Sequence, residues 1–231
     1  MTTVFISEIT YDVSGVDVGE GSEIMDPAGT DLTGWRVVLY NGGSNAASAA
    51  AATAYSTTTL TGLVTDLGGG QGAMVINYPS DGIQNGANDA IALVDPYGNV
   101  VQFLSYEGVV TAGSGLAAGA TSVNIGVTQG GSTPVGESVQ VSGTGGDSAD
   151  FTWTASAAST FGASNTGMTY TAPDTTFGAT AGDDIDFEGT YGIDTINGLD
   201  GNDVLRALSG DDTVNGDAGD DSLTGGDGND T

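Results

Sequence analysis

Apolar residues in the first 170 positions occur in short runs separated by glycine, proline and asparagine, which is the pattern of an all-β domain. Runs rich in valine, isoleucine, tyrosine and phenylalanine predict strands at 4–9, 23–25, 36–40, 73–78, 90–94, 100–106, 123–127 and 138–142. Pro96 and Gly98 predict a tight turn between the two strands that flank them. Asn41-Gly42 predicts a hairpin directly after residue 40. The alternation at 138–142 predicts a strand with one buried face.

Residues 44–54, SNAASAAAATA, interrupt this pattern with small side chains. Alanine favours helix, but a helical run this short is marginal without tertiary contacts. The sequence therefore leaves a short helix, a loop and an extended flap open for this insert.

From residue 189 onward the pattern changes to a strict period of nine residues. Glycine recurs at Gly192, Gly201, Gly210, Gly219 and Gly228. An aspartate follows each glycine by two positions, and an aliphatic residue follows two positions later in the first four repeats. Glycine permits the positive φ that a tight turn needs, while aspartate and turn carbonyls are the hard oxygen ligands that calcium prefers. The repeats therefore predict alternating turns and short strands, with calcium at the turns.

These segments resemble the RTX nonapeptide repeat GGxGxDxUx, which binds calcium. The resemblance implies a parallel β-roll in which two nonapeptides form one coil, so that turns two repeats apart stack on the same edge. It divides the ligand aspartates between two edges, with Asp194, Asp212 and Asp230 on one and Asp203 and Asp221 on the other. About three or four calcium ions would lie between the stacked turns.

Three further aspartates are candidate metal ligands. Asp200 and Asp227, at the third repeat position, are weaker candidates than the repeat aspartates. Gly182-Asp183-Asp184 is similar to a repeat turn but begins ten residues before Gly192, which predicts an atypical capping turn that supplies Asp184 as a ligand. The double glycine of the repeat is lost at Ala207 and at Gly216-Asp217, which weakens single turns without breaking the period.

The chain has 231 residues and a net charge of −28, from 30 acidic residues against Arg36 and Arg206. Such a surface repels nucleic acids and anionic lipid headgroups. Residues 178–231 contain 14 acidic residues and one arginine, which gives a charge of −13. Because this segment also has few apolar residues, we expect an acidic disordered tail in the absence of calcium, and binding of the ion is then coupled to folding.

Histidine and cysteine are absent, which excludes Ser-His-Asp and Cys-His catalysis, histidine zinc sites and disulfides. Catalysis by two carboxylates remains possible, but no pair is marked above the others. The acidic loop at residues 12–31 could bind calcium or cap backbone amides, and capping is favoured because its spacing matches no EF-hand loop. Trp35 and Trp153 are expected in the core, and Arg36 is expected to anchor a carboxylate.

Short motifs in the first 170 residues resemble, in their order, bacterial lamin tail domains. They are Ile6-Ser7-Glu8-Ile9, Glu23-Ile24, Leu32-Thr33-Gly34-Trp35, the segment 83–108, Phe151-Thr152-Trp153 and the segment 160–167, in which Phe161 replaces the family's proline. The resemblance implies an immunoglobulin-like β-sandwich. The predicted chain is thus all-β, with a sandwich at 1–170, a linker and capping turn at 171–188, and a truncated RTX β-roll at 189–231.

The N-terminus lacks the pattern of a secretory signal, and no apolar run reaches the length of a transmembrane helix. RTX proteins use type I secretion through a signal at the extreme C-terminus. Because the sequence ends at Thr231 inside a repeat, we expect it to be the N-terminal piece of a longer protein.

These features predict a non-catalytic calcium-binding protein, extracellular or on the surface of a bacterium. The sandwich is expected to serve adhesion or assembly, through self-association or through other surface proteins or glycans, with no nucleic-acid partner and no membrane insertion. The alternative is the N-terminal, non-catalytic region of a large secreted nuclease or phosphatase-type hydrolase, because bacterial lamin-tail domains occur in such proteins together with RTX repeats.

Overall fold

The computed structural model describes residues 3–42, 51–171, 175–185, 187–189, 193–208, 210–226 and 228–231. Within these ranges the regular structure consists of β-strands and one short 3-10 turn, Ser148–Asp150. Strands up to residue 170 form two sheets, and strands from residue 175 form a parallel β-solenoid. The all-β prediction is therefore confirmed. No helix among the described residues is long and apolar enough to cross a membrane.

Twelve strands among the described residues build the two sheets. In chain order they are β1 (Phe5–Thr10), β2 (Gly21–Pro27), β3 (Arg36–Asn41), β4 (Thr53–Thr59), β5 (Thr65–Gly68), β6 (Gln71–Asn77), β7 (Asp89–Val94), β8 (Val100–Tyr106), β9 (Val123–Asn124), β10 (Glu137–Gly145), β11 (Phe151–Ala158) and β12 (Met168–Tyr170). The first sheet has the order β11-β10-β1-β2-β6-β5, with β12 paired in parallel to β10. The second sheet has the order β4-β3-β7-β8-β9.

The main core combines apolar side chains from both sheets, which makes the two sheets a sandwich. Ile6 and Ile24 from the first sheet belong to the same buried cluster as Leu39 and Ile91 from the second. Tyr11 and Tyr106 stack in this core, with 4.0 Å between their ring centroids. Trp35 and Trp153 pack against it as partly buried residues, so the expectation of core tryptophans is confirmed in that weaker form.

A second apolar cluster covers the other face of the second sheet. Val38, Tyr40 and Phe103 pack there with alanines of β7 and with the segment 110–120. The Tyr40 hydroxyl accepts a hydrogen bond from the backbone amide of Ala117 (2.8 Å). Strand β7 is consequently buried along its whole length, which agrees with its nearly continuous apolar sequence.

A polar strap, residues 159–167, is bound to buried acidic side chains of the first sheet. The amide of Thr160 donates to Oε1 of Glu8 (2.8 Å), and the amide of Gly162 donates to Oε2 of Glu23 (2.7 Å). Glu8 and Glu23 lie directly opposite each other on β1 and β2, and both are fully buried. The strap thus provides hydrogen bonds to two neighbouring carboxyl groups that have no access to water.

Each strand predicted in the sandwich has a counterpart, but three details were wrong. Asn41-Gly42 closes no two-residue hairpin, because Asn41 pairs with Thr53 across a longer connection. The strand predicted at 123–127 is reduced to β9. Residues 138–141 are buried on both faces rather than one, because residues of the strap also pack on β10.

Strands β4, β5 and β12 were not predicted, because their residues are mostly polar or small and lie at the sides of the sheets. Residues 44–50 of the alanine-rich insert lie outside the described residues. The end of the insert is extended: Ala52 forms a bridge with Ala112, and Thr53 begins β4.

Arg36 is the only cationic residue of the sandwich. Its Nη2 donates to the backbone carbonyl oxygens of Asp95 (2.9 Å) and Pro96 (3.5 Å). These carbonyls belong to the predicted turn between β7 and β8, in which the amide of Gly98 donates to the carbonyl of Asp95 (3.1 Å). The turn is therefore confirmed, while the expectation that Arg36 anchors a carboxylate was wrong.

Six short strands form the solenoid in the described residues: β13 (Thr175–Gly178), β14 (Phe187–Glu188), β15 (Asp194–Asn197), β16 (Val204–Arg206), β17 (Thr213–Asn215) and β18 (Ser222–Thr224). They alternate between two parallel sheets, β13-β15-β17 and β14-β16-β18. Ile196 pairs with Val214, and Leu205 with Leu223, each 18 residues further on. One coil therefore contains two nonapeptides, as predicted. Strand pairing begins at Thr175, inside the segment that the sequence suggested as a linker.

Burial raises the pKa of three acidic side chains of the sandwich, Glu20, Glu23 and Asp26, to about 7. The main cause is loss of hydration of the charged form. For Glu23, hydrogen bonds from Gly162 and Ser7 oppose the rise in pKa, and the nearby charge of Glu8 adds to it. Because the ordinary pKa of glutamate is 4.5, the folded sandwich holds extra protons between pH 4.5 and about 7. Its free energy of unfolding must fall as the pH rises through this window.

We expect the substitution Glu23→Gln to remove about 1–3 kcal/mol of this pH dependence, because glutamine keeps the shape of the side chain but cannot ionise. Urea unfolding in EDTA, followed by tryptophan fluorescence at several pH values, measures the effect, since both tryptophans lie in the sandwich. Glu137→Gln removes one carboxyl group from β10 and serves as the control for net charge. If Glu23→Gln kept the full wild-type pH dependence, the assignment of a raised pKa to Glu23 would be wrong.

Candidate metal centre

The aspartates of the repeat turns form two hydrogen-bonded columns along the solenoid. On one edge, the amide of Asp194 donates to Oδ1 of Asp212 (2.8 Å), and the amide of Asp212 donates to Oδ1 of Asp230 (3.1 Å). On the other edge, the amide of Asp203 donates to Oδ1 of Asp221 (3.0 Å). These are the two edges that the resemblance to the RTX repeat implied. Carboxylates of successive coils therefore lie next to one another in each column.

Three aspartates of the columns are buried, and two of these three have an oxygen atom without a hydrogen-bond partner among the described residues. Asp194, Asp203 and Asp212 are each 1% exposed. The Oδ2 atoms of Asp203 and Asp212 have no hydrogen-bond partner among the described residues. Burial raises the pKa of Asp212, the amide of Asp194 opposes this rise, and the charges of Asp194 and Asp230 add to it. A buried carboxylate oxygen without a partner destabilises the fold unless a cation or a donor meets it.

In four of the five repeats, Oδ2 of the ligand aspartate faces the first glycine of its own repeat, whereas the repeat of Asp212 begins with Ala207. A Cβ atom added to Gly198 would lie 2.5 Å from Oδ2 of Asp203, which is closer than any van der Waals contact allows. The same contact recurs in the repeats that begin at Gly189, Gly216 and Gly225. In these four repeats glycine therefore keeps the space beside the carboxylate free of side-chain atoms.

The donor set of these columns fits calcium. Aspartate and carbonyl oxygens are hard ligands, and calcium accepts roughly six to eight of them in flexible geometry. No group of three acidic side chains among the described residues is arranged to hold a metal by itself. A calcium ion at the columns would therefore take main-chain carbonyl oxygens of the turns in addition to the carboxylates. It would supply the positive charge that the columns lack.

The remaining predicted ligands have different surroundings. Asp184 is the first member of its column, because its amide donates to Oδ1 of Asp203 (2.9 Å). Its carboxylate accepts hydrogen bonds from the amide and the hydroxyl of Thr180 (2.7 and 3.1 Å). Asp200 is exposed at a turn, and Asp227 lies outside the described residues.

The turns require glycine at the fourth repeat position for two reasons. These glycines adopt left-handed φ values, for example +148° at Gly219. A Cβ atom on Gly219 would also lie 1.6 Å from the carbonyl oxygen of Gly201 in the preceding coil. The second position is left-handed even where the glycine is lost, at Leu199, Leu208 and Asp217 (φ 70°, 77° and 60°). These departures strain single turns but, as predicted, leave the period unbroken.

A second ladder of aspartate and asparagine was missed in the sequence. At the fifth repeat position, the amide of Asn202 donates to Oδ1 of Asp183 (2.8 Å), and the amide of Asp220 donates to Oδ1 of Asn202 (2.9 Å). On the other edge, the amide of Asn229 donates to Oδ1 of Asp211 (2.9 Å). Four of the five repeats have asparagine or aspartate directly before the ligand aspartate, and this regularity was the available signal.

The acidic loop of the sandwich caps backbone amides. Oδ1 of Asp17 accepts a hydrogen bond from the amide of Val13 (2.8 Å), and Oε2 of Glu20 accepts one from the amide of Gly82 (2.6 Å). The capping interpretation is confirmed for these two side chains.

The family model of the RTX calcium-binding nonapeptide repeat (4 copies) matches residues 188–223 and 207–231. No curated protein and no solved structure matches the chain. Residues 188–231 of the solenoid therefore contain RTX repeats, which bind calcium. Such repeats imply type I secretion, and proteins that carry them are typically secreted, which is consistent with an extracellular location.

We expect the substitution Gly219→Ala to destabilise the calcium-bound solenoid by about 3 kcal/mol, because it combines a left-handed backbone with a collision against the preceding coil. Gly182→Ala is the matched control: Gly182 occupies the equivalent place in the capping turn, where an added Cβ meets no atom within 4 Å. Thermal unfolding in calcium, followed by far-UV circular dichroism, distinguishes the two. Equal stability of both variants would contradict the close stacking of coils.

We expect Asp203→Asn and Asp212→Asn to raise the calcium concentration at the folding midpoint by about tenfold or more, because each removes one charge from a column. Asp217→Asn removes the same charge from an exposed turn position and controls for the change in net charge. The midpoint is read from far-UV circular dichroism during a calcium titration. A shift for Asp217→Asn as large as the shift for Asp203→Asn would mean that only total charge matters.

Proposed function

We propose that the protein is a secreted or cell-surface calcium-binding protein without catalytic activity of its own, in which calcium triggers folding of the solenoid. The observation that carries this proposal is the presence of buried Oδ2 atoms of Asp203 and Asp212 without hydrogen-bond partners among the described residues. The proposed ligands are the five column aspartates, Asp194, Asp203, Asp212, Asp221 and Asp230, with Asp184, Asp200 and Asp227 as further candidates. They would bind about three or four ions.

The small apolar core of the solenoid supports a requirement for calcium. Among the described residues it contains Ile196, Leu205 and Ala207, with Phe187 and Val214 packed against them. Leu223, the next apolar residue of the stack, is 46% exposed. The ion pair between Arg206 and Glu188 (3.4 Å) is exposed to solvent and adds little. Ordering the backbone costs about 1–2 kcal/mol per residue, so this core needs the additional stabilisation of a bound cation.

We further propose that the sandwich is an immunoglobulin-like, lamin-tail-type module for adhesion or assembly. Its two sheets around one core and its ordered motifs support this. Strands β4 and β11 end their sheets and contain no charged residue, although the chain as a whole is strongly acidic. Uncharged edge strands can pair with a strand of a second copy or of another surface protein without bringing like charges together.

Titration of the full chain with calcium tests both proposals. Far-UV circular dichroism should show a cooperative gain of β-structure with calcium and none with magnesium, which is smaller and keeps its hydration water. Sedimentation velocity at the same calcium concentrations should show assembly. A spectrum that does not respond to millimolar calcium would refute the folding proposal. A strictly monomeric protein that also binds no cell surface would refute the assembly proposal.

A further inference from the structure

The chain contains four asparagines that are followed by glycine: Asn41, Asn85, Asn197 and Asn215. This dipeptide is chemically labile, because glycine has no Cβ atom to hinder its backbone nitrogen. Two of the four lie in the sandwich. The other two end strands β15 and β17 and occupy the same place in successive coils of the solenoid.

The reaction needs only water as a co-reactant. The backbone nitrogen of the glycine loses its proton and attacks Cγ of the asparagine, which forms a C–N bond and a cyclic succinimide. The bond between Cγ and Nδ2 breaks, and the nitrogen leaves as ammonia with the added proton. Water then opens the ring at either carbonyl and leaves aspartate or isoaspartate. No oxidant or reductant is involved.

In the sandwich, one carboxylate protects both labile sites. Oδ1 of Asp89 accepts a hydrogen bond from the amide of Gly42 (2.9 Å), and Oδ2 accepts one from the amide of Gly86 (2.9 Å). The attacking nitrogen is thus bonded at both sites. The side-chain amides of Asn41 and Asn85 also donate hydrogen bonds, which fix their orientation.

In the solenoid, the protecting contacts join one coil to the next. The amide of Gly198 donates to the backbone carbonyl of Asn215 (2.8 Å), and Nδ2 of Asn215 donates to Oδ1 of Asn197 (2.8 Å). The amide of Gly216, which would attack Asn215, has no such hydrogen bond among the described residues, so Asn215 is protected by the bond of its own side chain and by the pairing of its strand. These contacts exist only when the coils are stacked.

We propose that Asn197 and Asn215 are sites of deamidation that calcium controls: the reaction proceeds in the calcium-free chain and stops when the solenoid folds. The inference rests on the proposed calcium-dependent folding. Deamidation adds a consequence to calcium-dependent folding, because the modification is irreversible. Isoaspartate adds one carbon atom to the main chain, which breaks the 18-residue register between coils. A molecule that stays without calcium for long therefore loses its ability to respond to calcium.

The test is ageing of the full chain at mildly alkaline pH, with calcium or with EDTA, followed by peptide mass spectrometry that separates aspartate from isoaspartate. In EDTA, Asn197 and Asn215 should convert, while Asn41 and Asn85 should stay intact because the sandwich remains folded. Calcium should slow conversion at Asn197 by about tenfold or more, since the reaction then requires local opening. The effect at Asn215 should be smaller, because the amide of Gly216 is not hydrogen-bonded among the described residues.

Two double variants connect the modification to its consequence. N197Q/N215Q keeps the side-chain amides but forms a six-membered ring far more slowly, so it should keep its calcium response after ageing in EDTA. Aged wild-type protein and aged N41Q/N85Q should both lose theirs. Equal loss of response in all three would overturn the inference.

Far-UV circular dichroism of the same samples separates the two ways of failing. A solenoid that folds with calcium but deamidates at an unchanged rate would overturn the inference and leave the proposed function intact. If calcium changed neither the spectrum nor the rate of deamidation, both the inference and the proposed function would be refuted.

Discussion

The stacking of one turn aspartate on the next, at an interval of 18 residues, is the constraint on which the solenoid depends. Each aspartate accepts the amide of the aspartate one coil earlier, so the hydrogen bonds that set the coil spacing also align the carboxylates. Except at Ala207, the residue beside each carboxylate is a glycine without a side chain. The glycine two residues before each aspartate allows the coils to approach closely. The same geometry therefore builds the stack and concentrates negative charge in it. A cation between the turns makes these two requirements compatible.

Protonation has opposite effects on the stability of the solenoid and of the sandwich. The stability of the sandwich depends on burial of acidic side chains. Its buried acids, such as Glu23 and Asp26, are most easily accommodated in their neutral form. The column aspartates must be ionised to hold calcium, so protons compete with the ion there. Mild acid therefore stabilises the sandwich and weakens the calcium-bound solenoid. The two parts can be distinguished by pH as well as by calcium.

The features that the sequence predicted are those that local rules determine. The strict period of nine fixed the positions of the turns, because every repeat has the same backbone requirement at the same position. The resemblance to the RTX repeat supplied the two repeats per coil and the two edges of aspartates. Features that depend on distant partners were missed. Whether β10 is covered on one face or both depends on the strap, which no pattern within β10 reveals. Asn41 pairs with Thr53, so the turn preference of Asn41-Gly42 did not decide the connection. Strand β4, rich in threonine and serine, forms because β3 offers it a free edge.

The first coil of the solenoid is one residue longer than the coils that follow. Asp184 and Asp203 are 19 residues apart instead of 18, and so are the paired residues Phe177 and Ile196. The extra residue is taken up before the regular repeats begin. At this end the carboxylate of Asp184 is satisfied by Thr180, whereas Asp203 one coil later has an oxygen without a partner. The chain thus closes the first turn with its own hydrogen bonds. Asp184 therefore needs a cation less than Asp203 does.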